Sequence, residues 1–364
     1  MAAALIGLGG GGAGAADPLS IQDLLEADLN EAVSGADVPA AQLVLTDGSG
    51  TLQINSGVGD LGTGAAFPDN AQVRIASNSK SFVSAVMLRL VGEGRVELDA
   101  PVERYLPGVV RGPGGDSNVV TIRNLLQRTS GVPDYILDLD LESVAALRQS
   151  RSSDDLIRLA MAKTAEFTPG DHAEYPNTNY LIAGKVVERV TGLPVGVEAT
   201  RRILLPLGLR DTYWPLYPLE SVIRGPHARA YHEFDGTLTD VTDIDPGWGL
   251  PDGAMVSTGA DMNRFSMALP AGRGGADRDG TYRPERRFCV AQRISGWACS
   301  PWTTSCGIEA WGHGGTIHGT FVYGGATAGR SVTVSMNELP DIIAAKAHNI
   351  DLDGVVDAAL CAPR

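Results

Sequence analysis

Apolar residues recur at helical spacing early in the chain, at Ile21, Leu24, Leu25, Leu29 and Val33, and predict an amphipathic helix over roughly 20–34. The pattern then changes. Ala41-Gln42-Leu43-Val44-Leu45 and Thr51-Leu52-Gln53-Ile54 flank the turn residues Asp47-Gly48-Ser49-Gly50, which predicts a β-hairpin. An apolar run from Phe82 to Val91 predicts a further helix. From about residue 96 to 245, helical pieces are broken by Pro and Gly, as at Ile122 to Gln127, Asp154 to Lys163 and Tyr180 to Val190. Near the end, Thr320 to Tyr323 and Ser331 to Ser335 read as paired strands, followed by a helix from Ile342 to Leu360. Strands at both ends with helices between predict one α/β (α+β) domain built from residues 17–95 and 246–364. A mostly helical domain, 96–245, is inserted into it.

Composition narrows the classes. The 364 residues are 43% hydrophobic and 20% charged, an ordinary globular balance. A formal charge of −14, with no Lys/Arg-rich run, excludes a nucleic-acid footprint. No apolar run reaches the ~18–20 residues of a membrane span. Residues 1–16 are rich in Ala, Gly and Leu and end in Ala13-Gly14-Ala15, the small-x-small pattern of a secretory signal; their lack of a basic start marks a signal-peptide remnant. Gly7 to Gly12 also fits G-x-G-x-x-G, but no strand precedes it and Pro18 follows, so a dinucleotide site is rejected. The expectation is a secreted protein, a monomer by default.

The chemistry starts at Ser77-Asn78-Ser79-Lys80. Residues at i and i+3 share a helix face, so the hydroxyl and amine can meet at the start of the helix. Serine must lose its proton to attack, and a lysine beside it can take that proton. Of the four lysines, Lys80 alone has serine three residues earlier. Tyr175-Pro176-Asn177 adds a phenol that can relay a proton and a carboxamide that can grip an amide. His313-Gly314-Gly315-Thr316 adds glycines that let a substrate approach the backbone, whose N–H groups can stabilise an oxyanion. The histidines show no metal-ligand spacing, and no metal or cofactor is expected. The four cysteines, Cys289, Cys299, Cys306 and Cys361, lack C-x-x-C spacing and can form two bridges, with the pairing open.

In this order, Ser77-x-x-Lys80, Tyr175-x-Asn177 and His313-x-Gly315-Thr316 resemble the class C β-lactamase and serine DD-peptidase family. Glu93 to Val102, Tyr105-Leu106-Pro107-Gly108, Arg128-Thr129-Ser130-Gly131 and Pro206-Leu207-Gly208-Leu209 are family-like too, and the likeness runs over about residues 20 to 361. It is strongest to the secreted actinomycete-type D-alanyl-D-alanine carboxypeptidase/transpeptidase. The resemblance implies a penicillin-recognising serine hydrolase fold, with a central antiparallel sheet flanked by helices. It implies Ser77 as nucleophile, Lys80 and Tyr175 as proton-transfer groups, and His313 as their partner. The N–H groups of Ser77 and Thr316 would form the oxyanion hole. Asn177, Trp248, Gly315 and Thr316 would contact substrate, with His318 a further pocket candidate against the reading of a satisfied surface histidine. Cys306 would pair with Cys361; Cys289 and Cys299 are left as a pair that the cysteine count alone allows.

One departure bears on specificity. Where the relatives carry an arginine that binds a free substrate carboxylate, this chain has Ser300, and a hydroxyl cannot make that bidentate contact; Arg286, Arg287 and Arg293 are the nearby alternatives for it. The motifs as a whole lead to a secreted D-alanyl-D-alanine carboxypeptidase acting on cell-wall peptides, with Ser300 weighing against selectivity for a free carboxylate. The alternatives are a β-lactamase, a D-amino-acid amidase or aminopeptidase, a carboxylesterase, or a non-catalytic peptidoglycan or β-lactam sensor. The expected partner is a small peptide or β-lactam substrate.

Overall fold

The computed structural model describes residues 20–36, 38–216, 219–244, 250–269, 300–338 and 352–362. The expected leader, Trp248, Cys289, Cys299 and the start of the last helix lie outside the described residues.

Six strands form one antiparallel sheet: β1 (Ala40–Asp47), β2 (Gly50–Gly57), β3 (Ser300–Thr303), β4 (Glu309–Ile317), β5 (Thr320–Ala326) and β6 (Arg330–Met336). Their order across the sheet is β2-β1-β6-β5-β4-β3. The predicted hairpin is β1–β2, with Leu43 opposite Ile54, and the predicted paired strands are β5 and β6, with Tyr323 opposite Val334. The join between the chain ends is β1 on β6, with Leu43 opposite Val334.

Alternation along these strands fixes what packs on each face. Leu43, Leu45, Ile54, Val332 and Val334 form one core with Leu25 and Leu29 of the first helix (Ile21–Ala36) and Val356 and Leu360 of the last (Leu352–Cys361). Each such burial contributes ~1.5–3 kcal/mol before entropy is charged. Val44 points to the other face, where the helix Gly259–Ala268 lies so close that a Cβ on Gly259 would stand 2.6 Å from Val44 Cγ2. Asn263 of that helix donates to Val44 O at 2.8 Å and accepts from Thr333 Oγ1 at 2.7 Å, locking helix to sheet.

Beneath that helix, Phe265 stacks on Phe82 at 3.8 Å between ring centroids. Phe82 belongs to the helix Ser79–Gly92, which packs against the helix Thr178–Thr191. The segment between the sheet halves also contains the hairpin Tyr231–Phe234/Thr237–Asp240, turning at Asp235-Gly236. Cys306 and Cys361 are bonded, tying the turn before β4 to the last helix.

Candidate active site

Ser77 occupies a single 3-10 turn, Ala76–Asn78, and the α-helix begins at Ser79, two residues after the point the sequence pattern suggests. The reason is local. Ala76 has φ +46°, a left-handed conformation that costs a non-glycine residue about 1–2 kcal/mol. The turn is held by Ile75 N donating to Met255 O at 3.0 Å and Met255 N donating to Ser79 Oγ at 3.1 Å. Asn78 forgoes capping the helix and donates to Ile75 O and Val322 O instead. Strain persists only where such contacts over-determine it, and here it sits beside the predicted nucleophile.

Lys80 is 1% exposed, and its Nζ donates to Ser77 Oγ at 2.8 Å and to the backbone oxygen of Asp252 at 2.7 Å. The hydroxyl and amine therefore meet as the spacing predicts. Tyr175 precedes the Thr178–Thr191 helix; Lys80 Nζ lies 5.2 Å from its ring centroid and the His313 ring 6.2 Å away. Asn177 donates from Nδ2 to Asp134 Oδ2 at 2.8 Å. The loop before it is fastened too, since Thr178 Oγ1 accepts from Tyr135 N at 3.0 Å and donates to Pro133 O at 2.7 Å.

His313, Gly315 and Thr316 lie on strand β4, not in a turn. Three glycines at 312, 314 and 315 hide the strand from a pattern reading, because glycine depresses β propensity. Each close approach has a use. A Cβ on Gly312 would fall 2.0 Å from Gly324 O, and one on Gly315 would fall 2.2 Å from Ile75 O and 3.0 Å from Ser77 N. Gly315 thus lets the strand lie against the nucleophile turn. Neighbouring β3 pairs only with Glu309 to Gly312, so from His313 onward β4 has no partner on that side among the described residues.

An open cleft of about 410 Å³ is lined by Ser77, Tyr175, His313 and Thr316, by Ser300 and Trp302 of β3, and by Tyr323 of β5. Ser300 therefore belongs to the cleft, and the described lining contains no lysine or arginine. His318 is not among the described lining residues. Its ring, in the β4–β5 turn, packs 4.5 Å from His232 and 6.2 Å from Phe234. Burial, then His232, pushes the His318 imidazole down to about 4.

Four groups went unseen in the sequence. Arg128 stacks on Tyr175, with its guanidinium carbon 4.9 Å from the ring centroid. Burial, then the charges of Lys80 and Arg128, pushes His313 down to about 3, so its imidazole is neutral. Asp252 is 3% exposed, with Oδ2 3.9 Å from Lys80 Nζ and 2.9 Å from the Tyr135 hydroxyl that donates to it. Burial pushes this carboxyl up to about 7, although Lys80 and Tyr135 pull it down. Tyr135 is itself held well above the usual phenol range, first by burial and then by Asp252, so it stays a hydroxyl donor. Asp134 is raised by burial, against its bonds to Asn177 and Ile136. Pro251-Asp252-Gly253 reads as an ordinary turn, which is why Asp252 carried no signal.

A serine and lysine in hydrogen-bond contact, with a phenol and a neutral imidazole around one cleft, are the groups that acyl transfer through a serine requires. The chain matches the Beta-lactamase family over residues 23–353 and belongs to it. A D-stereospecific amidohydrolase from Streptomyces sp. superposes with a TM-score of 0.81 at 30% identity, covering 93% of this chain and 98% of that one. D-amino acid amidase from Ochrobactrum anthropi SV3, solved with L-phenylalanine amide, superposes at 0.75 and 25% identity, covering 93% and 97%. Protein flp of Staphylococcus aureus (strain MW2) is 25% identical over 248 residues, 67% of this chain and 47% of that protein. The chain thus spans about half the length of the curated relatives it matches first.

Proposed function

We propose that this serine hydrolase cleaves amides of D-amino acids, or short peptides beginning with one, and acts less well on peptides ending in a free D-alanine carboxylate. One observation carries the reading: the described lining of the cleft has Ser300 and no cation. A charge-assisted carboxylate contact contributes ~1.5–3 kcal/mol, so its absence costs a carboxypeptidase roughly 10–100-fold. The amidohydrolase and the amidase, each covering 93% of this chain, support the same reading. Trp302 and Tyr323 provide aromatic walls suited to an apolar side chain.

In this reading Ser77 Oγ attacks the amide carbon and its proton passes to Lys80. The N–H groups of Ser77 and Thr316 stabilise the oxyanion, and Tyr175, oriented by Lys80 and neutral His313, protonates the leaving amine. Water then enters through the same phenol and releases the acid from Ser77. Asn177 and Gly315 contact the substrate. The Cys306–Cys361 bridge supports an oxidising compartment and hence export.

The test is a substrate panel with Ser77→Ala as background: D- and L-phenylalanine amide, an N-acyl-D-Ala-D-Ala peptide, p-nitrophenyl butyrate and benzylpenicillin. The expected result is kcat/KM for the D-amide at least ~10-fold above both the L-amide and the peptide. Faster turnover of the peptide, or a long-lived penicillin adduct on Ser77, would return the function to a DD-carboxypeptidase. Rapid penicillin hydrolysis would make it a β-lactamase, and preference for the butyrate an esterase.

A further inference from the structure

Lys80 can take the Ser77 proton only if its amine has a lone pair, and an ammonium must first give a proton away. We propose that Asp252 is the positioning residue that receives it, so that Lys80 and Asp252 together act as one buried proton store behind Ser77. The proposal rests on the acylation role of Ser77 and Lys80 given above.

The geometry separates Asp252 from a structural acid. Its backbone oxygen already anchors Nζ at 2.7 Å, so the carboxylate is not needed as a tether. Oδ2 takes one hydrogen bond, from Tyr135 at 2.9 Å, and faces Nζ at 3.9 Å. Oδ1 is buried with no hydrogen-bond partner among the described residues. A buried carboxylate kept for stability has its lone pairs filled, whereas this one keeps capacity for a proton. Closing from 3.9 Å to hydrogen-bond range asks for about 1 Å of movement at the end of a flexible lysine stem.

Every atom of the step is placed. The Ser77 O–H bond breaks as Oγ bonds to the carbonyl carbon, the proton goes to Nζ, and an Nζ–H proton goes to Asp252 Oδ2. When the C–N bond breaks, its electron pair stays on nitrogen, which takes the Tyr175 hydroxyl proton. Nζ restores Tyr175, and Asp252 returns its proton to Nζ. The charged and titratable groups around Asp252 are Lys80 from the Ser79–Gly92 helix and Tyr135 and Asp134 from the loop; the Tyr180 ring of the Thr178–Thr191 helix lies 5.9 Å from Lys80 Nζ. Below about 7 the Asp252 carboxyl is already protonated and has no room for a proton from Nζ; above it the carboxylate can receive one.

The experiment is the pH dependence of the Ser77-dependent acylation burst with p-nitrophenyl acetate, corrected with Ser77→Ala. The wild type should lose its burst rate as pH falls through about 7. Asp252→Asn should remove that limb and lower the plateau about 10²-fold. Tyr135→Phe deletes a hydrogen bond that favours the carboxylate, so its limb should move to higher pH. A rate within about threefold of wild type and an unmoved limb in Asp252→Asn overturns the proposal. If that variant does not fold, Tyr135→Phe decides alone: a moved limb supports the proton store and an unmoved one rejects it. A burst unaffected by Ser77→Ala overturns the acylation reading and this inference with it. A Ser77-dependent burst with unmoved limbs sinks only the inference.

Discussion

Two buried carboxylates show how differently one fold treats the same expense. Glu198, fully buried in the short helix Val195–Ala199, accepts from Arg201 at 2.9 and 3.2 Å and from Arg202, which also pairs with Glu93. Burial pushes its carboxyl up, but the bonds from Arg202 and Arg201 outweigh that and hold it below the usual range. Asp252 is buried too, with one hydroxyl donor and one lysine beyond hydrogen-bond range, and there burial wins. A saturated acid keeps its charge and serves as a strut. An under-satisfied one sits near its titration point, and only the second lies behind a nucleophile.

Removing the cation from each pair tests that contrast most severely. Lys80→Met should lower kcat/KM by roughly 10⁴-fold, read in single turnovers. Its thermal midpoint should stay near wild type, because without Lys80 the Asp252 carboxyl rises further and simply stays protonated. Arg202→Met should do the reverse: it leaves Glu198 with Arg201 alone and costs about 3 kcal/mol by urea unfolding. Activity per folded molecule should not change. If Arg202→Met cut activity or Lys80→Met melted the protein, the division between strut and proton store would fail.

A weaker pair sharpens the comparison from the surface. Glu166 is raised to about 7, first by burial and then by its contact with Glu174. A carboxyl raised in the folded state stabilises fully below its unfolded value, and that stability is lost as pH rises through about 7. Glu166→Gln should therefore raise the melting midpoint by ~1–2 °C near pH 8 and leave it unchanged near pH 4, with solvent screening keeping the gain small.

What was legible follows the same physical lines. The β1–β2 hairpin and the Ile122–Gln127 helix stood out because their apolar spacing and turn residues agree with the final packing. The Ser77–Lys80 contact stood out because it is local. Strand β4 was hidden by its glycines, which answer to the nucleophile turn and to Gly324, far away in sequence. The Tyr231–Asp240 hairpin carried an Asp235-Gly236 turn that a stricter reading would have used. Asp252, Tyr135 and Arg128 come from separate stretches of chain, and nothing in their neighbours announces that they meet around Lys80 and Tyr175. His318 lies two residues from Thr316, past the strand end at Ile317, and its ring meets His232.

The seam between β1 and β6 sets a timetable as well as a shape. Ala40 N donates to Asn337 Oδ1 across 297 residues of sequence. Contacts of such span form slowly, because the whole intervening chain must close as a loop first. A growing chain presents Ser77 and Lys80 early, but the strand that lies against them, Glu309–Ile317, is made much later. Until then the nucleophile has no opposite wall and the sheet has an open edge. The catalyst thus stays unassembled until that strand emerges, and the task for any chaperone is to keep the edge from pairing with the wrong strand.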